Sequence, residues 1–428
     1  MKKILIVSSV FPFPADTGKK IVLGGFLKYF KFRYGDQNVE WLYVGNELPD
    51  SVKSSLRFHV INLPSSFLRL LSVFRYALFG RKKSIQEAIL FTDKLARSVR
   101  SKIRTIQPDL IMLDTVRAAQ YGVPDEYMSR SFLYLEDLFS VRYQRMLDAL
   151  HLDSVERLNV LGNFATFIPS FLRPLIQNSR IFQRGLLGLE RKLIERSEIA
   201  FSMRYPLNIL LNADEVKLLL MRSPQAHVML AKPVLPSPAP DSFKRRYDKS
   251  FSFVFIGSLN YAPNEVAMLA FIESALPMIV VAAPDFRLKI IGKHASDKLK
   301  AEIEKFPNHI QLMGFVPDLT EVFATCCGMI VPMTFGTGIK LKTLEALSYG
   351  VPLISTSIGV EGIPVVNGTH CLIENDLTKF PQLMLSLRDI NLNELLSLEA
   401  RNYFVMNYSQ VHVFNEYDTM FQQMAGNI

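Results

Sequence analysis

Residues 335–363, FGTGIKLKTLEALSYGVPLISTSIGVEGI, decide the fold of this chain. The stretch begins with a glycine pair, Gly336 and Gly338, and apolar residues at helical spacing follow over residues 341–347. Gly350 ends this predicted helix, because glycine readily adopts the left-handed turn that closes helices. An apolar run typical of a buried strand comes next. The pattern therefore predicts a loop, a helix and a strand of a parallel α/β sheet.

The same stretch carries groups suited to a phosphate. Glycines immediately before a helix let backbone amides approach an anion, which the helix N-terminus also attracts. Lys340 and Lys342 add positive charge, and Glu345, three residues after Lys342, is expected on the same helix face. A phosphate site beside a carboxylate that accepts two sugar hydroxyls suits a nucleotide-diphosphate sugar. The alternative is an ordinary turn with a surface Lys–Glu pair, because the glycine spacing matches neither a dinucleotide fingerprint nor a P-loop.

Residues 336–363 closely resemble the donor site of retaining glycosyltransferases of family 4, the group 1 glycosyl transferases. Members read G-x-G-x-R/K-x-K-x-x-E-A, then V-P-L/I/V-I/V-S/T-T and G-x-E-G. In that family the carboxylate matched by Glu345 binds the ribose hydroxyls, and the glycine loop with its basic residues faces the diphosphate. The resemblance implies an α/β chain with the GT-B fold. Two Rossmann-like domains would face an interdomain cleft, and a C-terminal helix would cross back to the N-terminal domain.

Bulk composition is consistent with this size of enzyme. At 428 residues the chain is long enough for two domains, and 49% hydrophobic residues indicate a globular protein. The net charge is +9, and the sequence contains no nucleic-acid-binding motif. Binding to a membrane surface or to phosphate is therefore the better explanation of the positive charge. Three cysteines form no disulfide framework and favour a reducing cytoplasm.

The domain boundary is predicted at a proline-rich stretch, residues 231–241, which is typical of an extended connector. We expect an N-terminal acceptor-binding domain over residues 1–235 and a nucleotide-sugar-binding domain over residues 236–405. Residues 406–428 would form a helix that packs on the N-terminal domain. The first apolar run reads as a strand rather than a signal peptide, and no apolar stretch reaches the length of a spanning helix.

Acceptor-side candidates lie in the first domain. The loop after the first strand resembles the family's P-x-P-x-x-x-G-x-K/R loop and offers Gly18 and Lys19. Asp114 and Asp137 follow two further predicted strands, and ligands of open parallel sheets sit beyond the carboxyl ends of strands. The alternatives are a plain strand-to-helix loop for the first pair and helix N-caps for the two aspartates.

Two stretches of the first domain, residues 63–83 and 158–189, combine Phe and Leu with Arg or Lys and contain no acidic residue. Basic amphipathic segments of this kind lie in membrane interfaces, and two signals give firmer attachment than one. We therefore predict a peripheral enzyme on an anionic membrane surface. The alternative is that both segments pack on the domain or form a dimer contact.

Further donor candidates are implied by the resemblance across the second domain. Residues 257–264 resemble the family's G-x-L/F-D/N-Y-x-P-N segment but lack the Arg and Lys found in many relatives, so Lys340 and Lys342 would carry more of the diphosphate charge. The second Glu of many members is replaced by Thr337 or Phe335, which leaves the donor sugar open. The expected donor-binding residues are Gly257, Ser258, Asn264, Lys293, Phe315, Val316, Gly336, Thr337, Gly338 and Ile339.

The predicted reaction is metal-independent transfer of a sugar from a nucleotide-diphosphate sugar to a glycan or polyprenyl-linked acceptor. By resemblance it retains anomeric configuration, serves bacterial cell-surface polysaccharide biosynthesis and involves Glu345, Lys340 and Lys342 in catalysis. We expect no cofactor, no metal, no nucleic-acid partner, and a cytoplasmic enzyme peripheral on the inner face of the membrane. The alternatives are a nucleotide-sugar 2-epimerase of the same fold and a non-catalytic membrane-associated scaffold.

Overall fold

The computed structural model describes residues 2–15, 17–45, 57–149 and 179–426. The chain divides into two compact units: Met1–Val234 with Val413–Ile428 form unit 1, and Leu235–His412 form unit 2. Each unit is a parallel β-sheet with helices. Residues 158–178, which are most of the second basic apolar segment, lie outside the described residues.

Unit 1 contains a parallel sheet of seven strands in the order β3-β2-β1-β4-β5-β6-β7. The strands are β1 Ile4–Ser8, β2 Val39–Val44, β3 Arg57–Ile61, β4 Leu110–Asp114, β5 Ser131–Glu136, β6 Asn208–Leu210 and β7 Val228–Leu230. The α-helices are α1 Gly18–Tyr34, α2 Ser66–Ser72, α3 Ile85–Ile89, α4 Asp93–Ile106, α5 Thr115–Ala119, α6 Phe139–Ala149, α7 Arg180–Arg204 and α8 Ala213–Arg222. A π-helix, Val73–Phe79, continues α2, and 3₁₀ turns cover Asp36–Asn38 and Asp125–Arg130.

Unit 2 contains a parallel sheet of six strands in the order β10-β9-β8-β11-β12-β13. The strands are β8 Ser252–Ile256, β9 Arg287–Ile291, β10 Ile310–Gly314, β11 Gly328–Val331, β12 Leu353–Ser355 and β13 Leu372–Ile373. The helices are α9 Ala262–Ser274, α10 Leu276–Ala282, α11 Asp297–Glu304, α12 Thr320–Thr325, α13 Leu341–Ser348, α14 Phe380–Ser386 and α15 Ile390–Tyr408, with a 3₁₀ turn at Leu377–Lys379.

Both sheets reverse their strand order once, between β1 and β4 in unit 1 and between β8 and β11 in unit 2. In doubly wound sheets such a reversal opens a crevice at the carboxyl ends of the strands, where ligands bind. The strands around it are fully buried, as in β1 and β11, because helices cover both faces of a parallel sheet. The predicted α/β class with two Rossmann-like halves is confirmed.

The last helix of the chain, α16 (Gln410–Gly426), belongs to unit 1 from Val413 onward. Its Tyr417 ring stacks on Phe26 of α1 with centroids 5.0 Å apart, and Tyr29 donates a hydrogen bond of 2.9 Å to Asp418. Aromatic packing of this extent fixes the helix on the N-terminal domain, as the sequence predicts.

Within the described residues, no individual helix is long and apolar enough to cross a bilayer, although the bent pair α9 and α10 together meets the length and composition test.

Candidate functional site

The predicted donor residues of unit 2 lie at one edge of its sheet. Gly257 follows β8, Lys293 lies two residues after β9, and Phe315 follows β10 directly. The loop that contains Gly336 and Gly338 runs from β11 to α13. Because all six strands are parallel, these residues gather at the carboxyl edge where the strand order reverses.

The glycine loop has the backbone conformation that the sequence predicts for an anion site. Gly336 and Gly338 have φ angles of 134° and 71°, which non-glycine residues rarely adopt. The helix α13 begins just after, at Leu341, and its N-cap residue is Lys340, whose side chain is a donor and cannot cap amides. The first-turn amides of α13 therefore suit an external acceptor such as a phosphate oxygen.

Lys342, in the first turn of α13, is held by neutral groups. Its Nζ donates a 2.6 Å hydrogen bond to the Asn264 side chain and lies 4.3 Å from the centre of the Phe255 ring. Asn264 is oriented in turn by donating to the carbonyl oxygen of Ser258 at 2.9 Å. Burial, and to a smaller degree the charge of Lys340, lowers the pKa of Lys342 to about 7. An anion brought to this amino group would restore its protonated form.

Glu345 lies one turn further along α13. Its carboxylate has no hydrogen-bond or ion-pair partner among the residues that the structure describes. Burial raises the pKa of this carboxyl to about 7. Lys342 and Glu345 form no salt bridge, so the alternative of a surface Lys–Glu pair does not describe this helix face. A half-buried carboxylate without a partner can accept hydrogen bonds from ligand hydroxyls.

Lys340 differs from Lys342 in its partners. Its Nζ donates to the carbonyl oxygen of Gly338 at 2.8 Å and lies 3.2 Å from a carboxylate oxygen of Glu361. Both side chains are mostly buried, at 7% and 14% exposure. Lys340 therefore ties the glycine loop to the loop after β12. Sequence reasoning missed Glu361 as a site residue, although it is the acidic residue of the G-x-E-G motif.

The other donor candidates occupy the neighbouring strand ends. The Lys293 Nζ lies 4.2 Å from the centre of the Phe315 ring, which is 60% exposed. Val316 is half-buried against the core, and the Ser258 hydroxyl donates to the side chain of Asn260 at 2.7 Å. An exposed aromatic ring beside a lysine offers an apolar face and a cation at the edge of the site.

In unit 1, the structure brings together two of the four acceptor-side candidates. Lys19 Nζ lies 2.9 Å from Asp114 and 2.8 Å from Glu136, and the Ser8 hydroxyl donates to Asp114 at 2.5 Å. Gly18 is the first residue of α1, directly before Lys19. We call Ser8, Lys19, Asp114 and Glu136 the unit 1 cluster. It lies at the reversal point of the seven-stranded sheet, and two carboxylates on one ammonium suit hydroxyl recognition.

The contacts of Asp114 answer the alternative of a helix N-cap for that residue. Asp114 occupies the N-cap position of α5, but its carboxylate makes no cap hydrogen bond, because it binds Ser8 and Lys19. Asp137 is paired instead with the guanidinium of Arg142 at 2.7 Å, outside the unit 1 cluster. Sequence reasoning missed Glu136, although Asp114 and Glu136 are each the last residue of neighbouring strands, a shared position that indicates a common edge.

In the described ranges, no group of three or more His, Cys, Asp or Glu side chains is placed to hold a metal ion.

Comparison with known proteins gives a family match within unit 2. Residues 250–389 match the family model for glycosyl transferases group 1. A curated relative, an uncharacterized 44.6 kDa protein in the cps region of Klebsiella pneumoniae, is 29% identical over 192 residues, which are 42% of this chain. That match spans half the length of the relative.

Solved structures resemble the chain over its whole length. Anabaena HepE in complex with UDP and glucose has a TM-score of 0.62 at 12% identity and covers 99% of this chain and 100% of its own. Sucrose-phosphate synthase from Thermosynechococcus elongatus has a TM-score of 0.66 at 13% identity, with 100% of both chains covered. At these identities the likeness establishes the fold, which is GT-B.

Proposed function

We propose that this protein is a glycosyltransferase that moves a sugar from a nucleotide-diphosphate sugar to a glycan or polyprenyl-linked acceptor. The reaction proceeds with retention and without a metal, in bacterial cell-surface polysaccharide biosynthesis at the cytoplasmic face of a membrane. The family model over residues 250–389 supports the transferase class. The cps-region relative supports the polysaccharide context.

One observation carries the proposal: a buried lysine held by neutral groups and a carboxylate without a partner lie one helical turn apart on α13. Lys342 contacts an amide and an aromatic ring, and Glu345 has no partner in the described part of the chain. Burying either group in this way is unfavourable for folding, because its charged form loses hydration. A nucleoside diphosphate supplies what both lack, since its phosphates pair with the ammonium and its ribose hydroxyls donate to the carboxylate.

The chemical role of this pair follows from the charge that develops on the leaving group. Transfer of the sugar leaves a nucleoside diphosphate with one additional negative charge, and fixed donors beside that charge lower the barrier. Protonated Lys342 and the first-turn amides of α13 are the donors that this chain offers. Lys340 adds positive charge nearby, but its amino group already binds Gly338 and Glu361. We therefore propose that the role of Lys340 is to hold the conformation of the glycine loop.

The nucleotide proposed for the first test is UDP, the nucleotide bound in the HepE structure. Its base would lie against backbone and side chains after β10, where Phe315 is exposed and Val316 follows. Lys293 beside the Phe315 ring adds a cation at that end of the site. We assign no side chain as a covalent nucleophile, as the resemblance to retaining glycosyltransferases implies.

The acceptor side of the proposal rests on the unit 1 cluster. A hydroxyl of a glycan can replace or join the contacts of Lys19 with Asp114 and Glu136, since both carboxylates accept and the ammonium donates. Asp137 is assigned a structural role, because Arg142 binds it at 2.7 Å.

Calorimetric titration with UDP tests the donor site. Wild-type protein should bind UDP, and Glu345→Ala and Lys342→Met should each weaken binding by about tenfold to a hundredfold, which corresponds to one or two charge-assisted hydrogen bonds. Matched controls are Glu304→Ala and Lys298→Met, because both residues are exposed on α11 of the same unit. Equal UDP affinity in all five proteins would refute the assignment of the donor site.

The stereochemical part has its own measurement. Proton NMR of the first product formed should give the coupling constant of the same anomer as the donor sugar, and an inverted anomer would refute retention. Epimerised free sugar formed from the donor without any acceptor would replace the transferase by a nucleotide-sugar 2-epimerase.

A further inference from the structure

The segment after β3 presents an exposed apolar face on unit 1. The helix α2 continues without a break into the π-helix Val73–Phe79, so the two form one rod of fourteen residues. Six large apolar residues on this rod are exposed, with Phe67 at 71% and Phe79 at 83% exposure. We call this set the outer face: Phe67, Leu68, Leu71, Phe74, Leu78 and Phe79.

The opposite side of the rod is fixed to the domain. Ala77 is fully buried and packs in a small cluster with Ala88 and Leu193, and the Ser72 hydroxyl donates to the carbonyl oxygen of Phe91 at 2.7 Å. Val73 and Tyr76 pack on the same cluster, whereas six large apolar residues of the rod stay exposed, so the rod buries only part of its apolar surface on the domain. The outer face is therefore held in place by the fold and left to contact something else.

The sequence of the rod and its flanking residues carries cations and no anions. Between residues 57 and 86 the sequence contains no Asp or Glu, while Arg75, Arg81 and Lys82 are exposed. In the described ranges these three cations form no ion pair. Two carboxylates lie close to the rod, those of Glu87 and Asp93. Both interact electrostatically with Lys83, and Asp93 also accepts a hydrogen bond from the Tyr76 hydroxyl.

A second helix carries the same residue types. Leu189 and Leu193, in the middle of α7, pack in the cluster that also holds Val73 and Ala77 of the rod. At the start of α7, Ile181 is 84% exposed and Phe182 is also exposed. The cations Arg180 and Arg184 lie in the same first turns of that helix.

We propose that the outer face docks unit 1 onto a bilayer that contains anionic lipids. Phenylalanine and leucine side chains enter the headgroup–acyl boundary, and the neighbouring cations contact lipid phosphates. An anionic membrane offers both kinds of contact on one surface. This inference rests on the membrane location in the proposed function and deepens it by naming the docking surface, and vesicle binding measures that surface separately from sugar transfer.

The docking surface has a consequence for the acceptor. The rod begins five residues after β3 ends, at the carboxyl edge of the sheet, which is the edge that carries the unit 1 cluster. β3 lies three strands from β4, which is about 14 Å at the usual strand spacing. A lipid-linked acceptor would therefore reach the cluster from the membrane side of unit 1.

Co-sedimentation of the full chain with lipid vesicles tests the proposal. The probes are vesicles of phosphatidylcholine alone and vesicles that also contain phosphatidylglycerol, and wild type should partition strongly onto the anionic ones only. The apolar variant Phe67→Ser/Leu71→Ser/Phe79→Ser should lose binding at least about tenfold, from the apolar area removed from the boundary. Its control, Leu395→Ser/Leu398→Ser/Met406→Ser, removes three exposed apolar residues of α15 and should bind as wild type does.

The charge variant Arg75→Gln/Arg81→Gln/Lys82→Gln should weaken binding about a hundredfold, at about fivefold per cation near an anionic surface. Its control, Lys94→Gln/Arg97→Gln/Lys102→Gln, removes the same charge from α4 of unit 1. An equal loss in both charge variants would overturn the local surface in favour of net charge. Sedimentation velocity completes the test by measuring whether the chain is a dimer. If wild type is a dimer that the apolar variant dissociates, and if vesicle binding is absent, the outer face is an interface between two copies. That result would overturn the membrane proposal.

Discussion

Replacing Lys342 by methionine should remove a specific dependence of stability on pH. Burial holds the pKa of Lys342 near 7 in the folded protein against an ordinary value of 10.5. That difference is equivalent to a penalty of about 5 kcal/mol on the folded ammonium form. Between pH 7 and 10.5 the unfolded chain binds a proton that the folded chain does not, so the free energy of unfolding rises with pH in that window.

The pH dependence that Lys342 contributes has a definite expected size over an interval that unfolding experiments can cover. Between pH 7 and pH 9 the Lys342 contribution should raise the free energy of unfolding by about 2 kcal/mol. Glu345, whose pKa is raised to about 7, lowers stability as pH rises from 4.5 to about one unit above 7, and this contribution is common to wild type and Lys342→Met, so it cancels in their difference. Urea unfolding of the full chain, recorded at pH 7, 8 and 9, measures the difference between wild type and Lys342→Met at each pH.

The control for this measurement is Lys298→Met, which removes an exposed lysine from the same unit and should keep the wild-type pH dependence. A Lys342→Met variant that follows wild type in parallel from pH 7 to pH 9 would refute the reasoning, since it would mean that Lys342 stays protonated in the folded state.

Three further predictions concern the same edge of unit 2. Glu345→Gln should remain folded and gain stability relative to wild type near pH 7, where half of the buried carboxyl is ionised, yet it should lose UDP affinity; thermal unfolding and calorimetry measure the two changes. Gly257→Ala should weaken UDP binding at least about tenfold in calorimetric titration, because its Cβ would lie 2.6 Å from Asn264 Nδ2 and 3.0 Å from Lys342 Nζ and displace both side chains. Lys340→Met should reduce the free energy of unfolding by about 3 kcal/mol, because it leaves the Glu361 carboxylate buried without its cation. Adding Glu361→Gln should recover part of that loss in urea unfolding. A double variant less stable than the single one would contradict the ion pair.

The fold class could be predicted because its signals are local. Buried parallel strands appear as continuous apolar runs, and the glycine pair at Gly336 and Gly338 requires the positive φ angles that the structure has. The helix that starts at Leu341 follows from apolar spacing alone. A family resemblance over these residues then supplied the two-domain arrangement, which spacing cannot give.

The partners of each charged side chain could not be predicted, because they join residues far apart in sequence. Lys342 binds Asn264, which lies 78 positions earlier, and Lys19 reaches Glu136 across 117 positions. Such contacts depend on strand order and register, and a pattern of residue types contains neither. For the same reason the sequence treated Lys340 and Lys342 alike, although only the first has an acidic partner among the described residues.

The basic apolar segment shows a different limit. Helical spacing over residues 63–83 identifies an apolar stripe, but it does not say whether that stripe faces the core or the solvent. Burial of Ala77 and exposure of Phe67 answer that question in the structure, since Ala77 and Tyr76 pack on the domain while Phe67 faces solvent. The second segment, residues 158–189, remains a prediction over residues 158–178, which lie outside the described ranges.

Release of nucleoside diphosphate from a panel of nucleotide sugars tests the central claim most directly. Wild-type protein, given a polyprenyl-linked saccharide acceptor and no added metal, should release UDP from a UDP-sugar, and Glu345→Ala should reduce kcat/KM by at least about a hundredfold. Glu304→Ala should match wild type. Failure of every nucleotide sugar to release its diphosphate with any such acceptor, or an unchanged rate in Glu345→Ala, would contradict the account.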